Sequence, residues 1–322
     1  MTKEHDQKMP RKTCLVTGAA GFVGSHLSRR LLTGGCRVIG VDCFTDYYDR
    51  DIKENNIVDL LEQEAFTLLR GDISEIDDSW FGGEHIQWVF HQAAQAGVRA
   101  SWGGEFAHYT HHNVLGTQRL LEWARQVKPE RLVYASSSSV YGAATKLPMH
   151  EEDLPRPLSP YGVTKLAAEH LCNLYYQNFA LATVSLRYFT VYGPGQRPDM
   201  AFHRFIRAIL AGQEIVVYGS GEQTRDFTFI DDIVNANLAA AATAGAEGKV
   251  YNIGGGSRIS VNGVLEILGH LTGKEVRVRR EEVQAGDPLH TYADSARAQN
   301  ELGFRPQVTL EDGLDRMVEW FR

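Results

Sequence analysis

Short apolar runs alternate with segments of helical periodicity over about the first 190 residues of the chain. Short apolar runs are typical of buried strands, and a 3.6-residue apolar repeat is typical of helices. The pattern predicts strands at 13–17, 37–41, 66–69, 88–90, 131–135 and 182–186, and helices at 22–32, 105–127 and 160–178. This alternation predicts an α/β fold with a doubly wound parallel sheet, whose ligand crevice lies at the carboxyl ends of the strands.

The pattern loosens after residue 190. Residues 192–198 read YGPGQRP, and such glycine and proline density indicates a turn-rich boundary. We therefore expect a large sheet domain over 11–190. Residues 191–322 are expected to form mainly a smaller lobe over the crevice, with parts that return to the large sheet and an amphipathic helix at 310–321.

Composition excludes several classes of protein. The 322 residues carry a formal net charge of −7, which disfavours non-specific binding of nucleic acid because such binding needs a basic surface. No apolar run is long enough to span a bilayer, and the first ten residues lack the apolar core of a signal peptide. The four cysteines have no CxxC spacing, which favours reduced thiols in a cytoplasmic protein.

A glycine-rich turn follows the first predicted strand. Gly18, Gly21 and Gly24 have GxxGxxG spacing and surround Phe22 and Val23. Glycines here allow a tight turn and a close approach to a pyrophosphate, which the next helix N-terminus also favours. A generic glycine turn is the alternative, but Asp42 closes the second strand, where an acidic residue suits the ribose of NAD and repels the 2′-phosphate of NADP. We therefore predict NAD as the cofactor.

Asp72 and Ile73 follow the third predicted strand. They are candidates for the adenine contact, Asp72 by a hydrogen bond and Ile73 by packing. The alternative is that Asp72 merely caps the following turn. Ala93 and Tyr188, at the ends of the fourth and sixth strands, complete the set of predicted cofactor contacts.

Tyr161 and Lys165 lie four residues apart at the start of a predicted helix, and therefore on one face of it. A free tyrosine has a pKa of about 10, and a nearby cation favours its phenolate. Tyr161 is therefore a candidate base that removes a proton from a substrate hydroxyl while the adjacent carbon gives hydride to NAD. An exposed helix pair is the alternative. The upstream glycine turn and the serine run at 136–139 favour the catalytic interpretation.

Taken together, these segments resemble the extended short-chain dehydrogenase/reductase family and, within it, the nucleotide-sugar epimerases. The resemblance covers nearly the whole chain, and the segments that carry it are 17–24, 91–101, 136–142, 161–165, 187–201 and 219–232. It implies a Rossmann fold with Ser137 as the third catalytic residue beside Tyr161 and Lys165. It also implies that Arg225 holds a UDP pyrophosphate and that Asp287 lines the nucleotide pocket. A homodimer through a four-helix bundle of helices 105–127 and 161–178 is implied as well.

Two local features of the sequence indicate which sugar the substrate carries. Sugar dehydratases of the family carry Asp-Glu after the catalytic hydroxyl, and nucleotide-glucuronate decarboxylases usually carry a Glu where this chain has Ser139. Here Ser138 and Ser139 are both hydroxyls, which can donate to a substrate carboxylate; burying a carboxylate without donors is costly. The segment 192–201, together with 93–99 and 284–287, resembles epimerases that act on UDP-glucuronate. We expect Ser138, Ser139 and Thr190 to bind the carboxylate.

The same resemblance places Arg99 and Arg197 near the substrate. A salt bridge that anchors the loop through Asp199 is the alternative for Arg197. The expected reaction is therefore reversible C4 epimerisation of UDP-glucuronate to UDP-galacturonate through a 4-keto intermediate. Decarboxylation to UDP-xylose, epimerisation of a UDP-hexose or UDP-N-acetylhexosamine, and a regulatory role on an inactive scaffold are the alternatives.

His108, His111 and His112 have a helical spacing that could bind a metal ion. No carboxylate or cysteine lies near them in the sequence, so a solvated helix face is favoured and no metal is predicted. Tyr47 and Tyr48 are either ligand contacts or surface loop residues.

Overall fold

The computed structural model describes residues 11–143, 146–282, 286 and 288–322. The strands are β1 Thr13–Thr17, β2 Arg37–Asp42, β3 Phe66–Arg70, β4 Trp88–His91, β5 Arg131–Ser137, β6 Thr183–Tyr188, β7 Thr190–Tyr192, β8 Ile215–Tyr218, β9 Thr224–Phe229, β10 Val250–Ile253, β11 Arg258–Ser260 and β12 Val278–Glu281. The α-helices are α1 Phe22–Thr33, α2 Arg50–Asn55, α3 Val58–Leu61, α4 Phe106–Tyr109, α5 Gly116–Val127, α6 Pro160–Phe179, α7 Ala201–Leu210, α8 Ile230–Ala242, α9 Val261–Thr272, α10 Ala296–Leu302 and α11 Leu310–Phe321.

Within the described residues, seven strands form the main sheet in the order β10-β6-β5-β4-β1-β2-β3. All neighbours in it are parallel. The direction of winding reverses between β1 and β4, and a ligand crevice is expected outside the carboxyl ends of the strands at such a switch point. The predicted α/β fold with a doubly wound parallel sheet is therefore confirmed.

The main sheet is buried on both faces, which explains why its strands are continuous apolar runs. On one face, Leu27 and Leu31 of α1 pack in a cluster with Ile233 of α8. On the other face, Leu120 of α5 and Ala168 of α6 belong to a second cluster. The sheet is thus a rigid middle layer between two layers of helices.

The C-terminal segments contribute to the main sheet and also form a smaller lobe. β10 returns to the main sheet and pairs with β6, where Val250 is opposite Ser185. The other segments form two smaller sheets, β11-β9-β7 and β12-β8, around a third core that includes Phe202, Phe227 and Met317. The predicted amphipathic helix at 310–321 is present as α11.

The prediction of one regular helix over 105–127 is wrong in its middle. A π-helical turn at Thr110–Leu115 separates α4 from α5. Asn113 in this turn accepts a hydrogen bond from the backbone N of Gln95 (2.7 Å) and donates to the backbone O of Gln95 and to Thr164 Oγ1. These tertiary bonds favour the wider turn, and such π-bulges often occur at functional sites.

Among the residues that the structure describes, no helix is both long and apolar enough to cross a bilayer.

Candidate active site

A cavity of about 860 Å³ lies between the carboxyl edge of the main sheet and the C-terminal lobe. It is lined by the described residues that the sequence predicts to bind cofactor or substrate: Gly18, Gly21, Phe22, Val23, Gly24, Asp42, Asp72, Ile73, Ala93, Arg99, Ser137, Ser138, Ser139, Tyr161, Lys165, Tyr188, Thr190, Arg197 and Arg225. Asp287, the remaining predicted residue, lies outside the described residues, as does Gln284.

The glycine turn leaves no room for side chains. Gly18 has a φ of +68°, and a Cβ on it would lie 2.8 Å from the backbone N of Ala93. A Cβ on Gly24 would lie 2.1 Å from the carbonyl O of Gly18. Gly21 caps α1 without a side-chain hydrogen bond, so the first backbone N–H groups of the helix are left for another acceptor. This geometry fits a pyrophosphate at the helix N-terminus.

Asp42 closes β2 and is held in place by several donors. Its carboxylate accepts hydrogen bonds from the backbone N of Ala20 (3.1 Å) and of Phe44 (2.8 Å). The Nζ of Lys53, which is itself buried, lies 3.1 Å from Asp42 Oδ1. The sequence pattern gave no sign of Lys53, because it reaches Asp42 from the separate short helix α2.

Asp72 caps the turn that follows it and also lines the cavity. Its Oδ1 accepts a hydrogen bond from the backbone N of Ser74 (2.9 Å). Its other oxygen, Oδ2, lies 3.0 Å from Nε2 of His111. Ile73 is buried and packs against Gly116, where a Cβ would lie only 2.8 Å from Ile73 Cγ2.

The catalytic candidates are positioned by one strand end and one helix start. Ser159 caps α6 by accepting a hydrogen bond from the backbone N of Gly162 (3.1 Å), and Pro160 favours the first turn. This start places Tyr161 and Lys165 on the cavity side of α6. Ser137 is the last residue of β5 and lines the same cavity as Tyr161.

The charges around Tyr161 differ from the sequence-based expectation. Burial raises the pKa of Tyr161, while the Ser137 hydrogen bond and the charge of Arg197 lower it. The cation that lowers the Tyr161 pKa here is thus Arg197, whereas the sequence had assigned that effect to Lys165. Burial also lowers the pKa of Lys165 to about 7, and its Nζ lies 4.6 Å from the ring centre of Tyr134.

The family of the chain follows from its similarity to known proteins. Residues 14–254 match the model of the NAD dependent epimerase/dehydratase family. The chain belongs to this family. The UDP-glucuronate 4-epimerase of Thermodesulfobacterium geofontis is 40% identical over 310 residues, which are 95% of each chain. An uncharacterized UDP-glucose epimerase of Bacillus subtilis, YtcB, is 41% identical over 307 residues, 95% of this chain and 96% of the relative.

A solved structure of UDP-glucuronic acid 4-epimerase from Bacillus cereus, in complex with UDP-glucuronic acid and NAD, has the same fold. It is 42% identical and superposes with a TM-score of 0.92 over 96% of this chain and 98% of the other. This member of the epimerase/dehydratase family is therefore an enzyme with a Rossmann fold.

Arg197 forms the predicted salt bridge with Asp199 and also lines the cavity. Its Nε and Nη2 donate hydrogen bonds to the Asp199 carboxylate at 3.0 and 2.9 Å, as the loop-anchoring alternative requires. Its side chain, 22% exposed, also lines the cavity. The Tyr47 hydroxyl donates to Asp199 at 3.4 Å, which ties a second segment of the chain to this pair.

The serine run packs against the start of α6. The backbone N of Ser139 donates to Ser137 Oγ at 3.1 Å, and a Cβ on Gly162 would lie 2.6 Å from the Ser139 carbonyl O. Ser138 and Ser139 line the cavity together with Thr190 at the start of β7. Hydroxyls from the 3-10 turn after β5 and from β7 therefore line the same cavity.

Three further predicted residues have protein partners in addition to their place in the cavity. The Tyr188 hydroxyl is bound to Gln92 (3.1 Å) and Asn237 (3.0 Å), which leaves its ring to face the cavity. The guanidinium of Arg99 stacks 4.3 Å from the ring centre of Tyr218. Arg225 Nη1 donates to the carbonyl O of Leu289 (3.1 Å).

Proposed function

We propose that this enzyme catalyses the reversible, NAD-dependent C4 epimerisation of UDP-glucuronate to UDP-galacturonate. The observation that carries the proposal is that Ser137 and Tyr161 share one cavity with Ser138, Ser139, Thr190 and Arg197. Ser137 and Tyr161 can move the proton of a substrate hydroxyl, and the other four residues can donate hydrogen bonds to a substrate carboxylate. The similarity to epimerases named for UDP-glucuronate supports the same assignment.

The residues present fit NAD. The glycine turn and the open N-terminus of α1 would hold its pyrophosphate, Asp42 its ribose, and Asp72 and Ile73 its adenine; Ala93, Tyr188 and Lys165 line the remainder. When bound, NAD accepts a hydride from C4 of the sugar and returns it.

Tyr161 is the group that we assign to move the proton. Its phenolate removes the proton of the sugar 4-hydroxyl and later returns it, while Ser137 orients the same oxygen. Arg197 and Ser137 both stabilise the phenolate, which offsets part of the cost of burial. Lys165 adds further positive charge whenever its buried amine is protonated.

The hydroxyls of Ser138, Ser139 and Thr190 serve to hold the sugar carboxylate. The 4-keto intermediate is a β-keto acid, which loses carbon dioxide when the breaking C–C bond aligns with the carbonyl π system. A carboxylate held away from that alignment is protected. No side-chain carboxylate stands at 138 or 139 to compete for the donors.

The lobe supplies the nucleotide end of the site in this proposal. Arg225 would bind the UDP pyrophosphate, since a planar guanidinium suits two phosphate oxygens, and Arg99 and Asp287 would complete the pocket. Residues 11–190 would then act as the NAD domain, with 191–322 mainly as the UDP-sugar lobe. β10, which pairs with β6, is the part of the lobe segment that returns to the sheet.

We also propose a homodimer through α5 and α6, together with a cytoplasmic site of action. Apolar side chains on the outer face of α6 support the dimer, since Val163, Leu174 and Phe179 are 49%, 51% and 50% exposed. None of the four cysteines, all of which lie in the described part of the chain, forms a disulfide, which supports a reducing compartment. Light scattering of the purified protein tests the dimer.

The proposed reaction is tested by NMR of the sugar H1 signals during incubation with UDP-glucuronate and NAD. UDP-galacturonate without net NADH is the expected result. UDP-xylose with released carbon dioxide would mean decarboxylation and would overturn the proposal, and turnover of UDP-glucose alone would mean a neutral-sugar epimerase.

The assignment of the carboxylate donors has a test of its own. Alanine at Ser138, Ser139 and Thr190 together is expected to slow epimerisation and to increase the UDP-xylose by-product. Thr33→Ala, which removes an exposed hydroxyl at the end of α1 outside the cavity lining, is the matched control. Unchanged turnover and unchanged by-product in the triple variant would reject the assignment.

A further inference from the structure

Three metal-binding side chains from distant parts of the chain meet at the end of the cavity next to Asp42. Cys43 follows β2, Asp72 follows β3, and His112 lies in the π-helical turn. One ligand atom from each lies within 4.8 Å of the other two. The sequence favoured a solvated helix face for the histidines because no carboxylate or cysteine is close to them along the chain, but the fold brings one of each against His112.

The cluster has nearly the spacing that a metal shell requires. Asp72 Oδ2 is 3.6 Å from Nδ1 of His112 and 3.0 Å from Nε2 of His111. Tetrahedral zinc, with bonds of about 2.0–2.3 Å, separates its ligand atoms by about 3.5 Å. The backbone N of Ser74 already fixes Asp72 through Oδ1, which orients the other oxygen toward the histidines.

Charged and titratable neighbours act on this cluster. The negative charge of Asp72 favours a cation beside His112, whereas Lys53 opposes one, and His108 and His111 also act on His112.

We propose that Cys43, Asp72 and His112 form a binding site for a divalent transition-metal ion, zinc being the best match. A sulfur, a nitrogen and an oxygen ligand together favour zinc over magnesium or calcium, which prefer oxygen alone. Three protein ligands leave a fourth position for water. His111 lies near the cluster, with its Nε2 3.0 Å from Asp72 Oδ2.

The site overlaps the place that we assign to adenine, because Asp72 would serve both ligands. Zinc and NAD therefore exclude each other, and each weakens the binding of the other by the same factor. This competition rests on the proposed function, whereas zinc binding by the nucleotide-free protein does not.

The test is calorimetric titration of the full-length, nucleotide-free protein with zinc chloride, with and without saturating NAD. One ion per chain with micromolar or tighter affinity is expected, and NAD should weaken that affinity by about tenfold or more. Cys43→Ser and His112→Ala should each weaken zinc binding by about tenfold or more. His85→Ala, which removes an exposed histidine before β4, is the matched control and should bind zinc as the parent does.

Cobalt provides a spectroscopic readout of metal binding that does not depend on catalytic activity. The cobalt-loaded protein should show thiolate-to-metal charge-transfer absorption that Cys43→Ser abolishes, while circular dichroism checks that each variant is folded. Millimolar or absent zinc binding, or folded variants that both bind like the parent, would overturn the site. Zinc binding that NAD does not weaken would overturn the placement of the zinc site beside the adenine. Epimerase activity without zinc binding rejects this inference alone, and zinc binding without activity rejects the proposed function alone.

Discussion

Arg197 and Asp199 form an ion pair with two charged hydrogen bonds at the edge of the cavity, and Arg197 lowers the pKa of Tyr161 from this position. Asp199 therefore orients the cation that acts on the proposed base. The Tyr47 hydroxyl donates to Asp199, so a second segment of the chain helps to hold this ion pair.

Asp199→Asn keeps the shape of this side chain but removes its charge. We expect kcat to fall by about tenfold, equivalent to about 1.4 kcal/mol of transition-state stabilisation, because Arg197 loses the partner that holds it. Steady-state kinetics with UDP-glucuronate measure this. Asp153→Asn, which loses an ion pair with Lys146 remote from the cavity lining, is the control, and equal rates in both variants would contradict the assignment.

Tyr161→Phe removes the proposed base. A loss of about 10²–10⁴ in kcat is expected, since positioned proton transfer contributes that much, with NAD binding retained. Tyr176→Phe, on the same helix but 37% exposed, should behave like the parent enzyme. Single-turnover measurements that found hydride transfer intact in Tyr161→Phe would assign the proton to another group.

Lys165 makes stability depend on pH. Its pKa is lowered to about 7 in the folded protein, whereas an unfolded lysine titrates at about 10.4. The unfolded chain therefore binds more protons between these values, and the free energy of unfolding should rise with pH from about 7 to about 10. Lys165→Met should remove this slope, so its melting temperature should exceed that of the parent by more at pH 6 than at pH 9. Thermal melts at both pH values measure the difference, and parallel curves would refute the prediction.

Glu169 and Arg187 form a buried bidentate ion pair behind the end of β5, and Ser136 Oγ donates to the same carboxylate at 2.6 Å. Glu169→Gln should lower the free energy of unfolding by about 3–5 kcal/mol, because the buried guanidinium loses its counter-charge. Glu301→Gln breaks the exposed pair with Lys249 and should cost about 1 kcal/mol or less. Denaturant titrations of both variants test the contrast, and similar costs would show that burial does not matter here.

Local patterns predicted the parts of the fold that depend on local chemistry. β1 has the predicted bounds, 13–17, because an apolar run directly before a glycine turn favours a buried strand that ends at the turn. The start of α6 follows from Ser159 and Pro160, a cap and a first-turn proline that act within a few residues. The cavity lining was also predictable, because the carboxyl ends of parallel strands lie at one edge of the sheet.

Contacts between distant segments were not predictable in this way. Lys53 reaches Asp42 from another element, and His112, which meets Asp72 and Cys43, lies in the π-helical turn around Asn113. That turn depends on hydrogen bonds between Asn113 and residues 95 and 164, so no helical periodicity near residue 113 could reveal it.

The pairing of β10 with β6 has a consequence during synthesis. Until residues 250–253 have left the ribosome, β6 is the outermost strand of the main sheet, and its free N–H and C=O groups can pair with any extended chain. The nascent polypeptide must therefore complete most of its length before this edge is covered. Truncations after β6 should aggregate even though they retain the whole glycine turn and both catalytic candidates on α6.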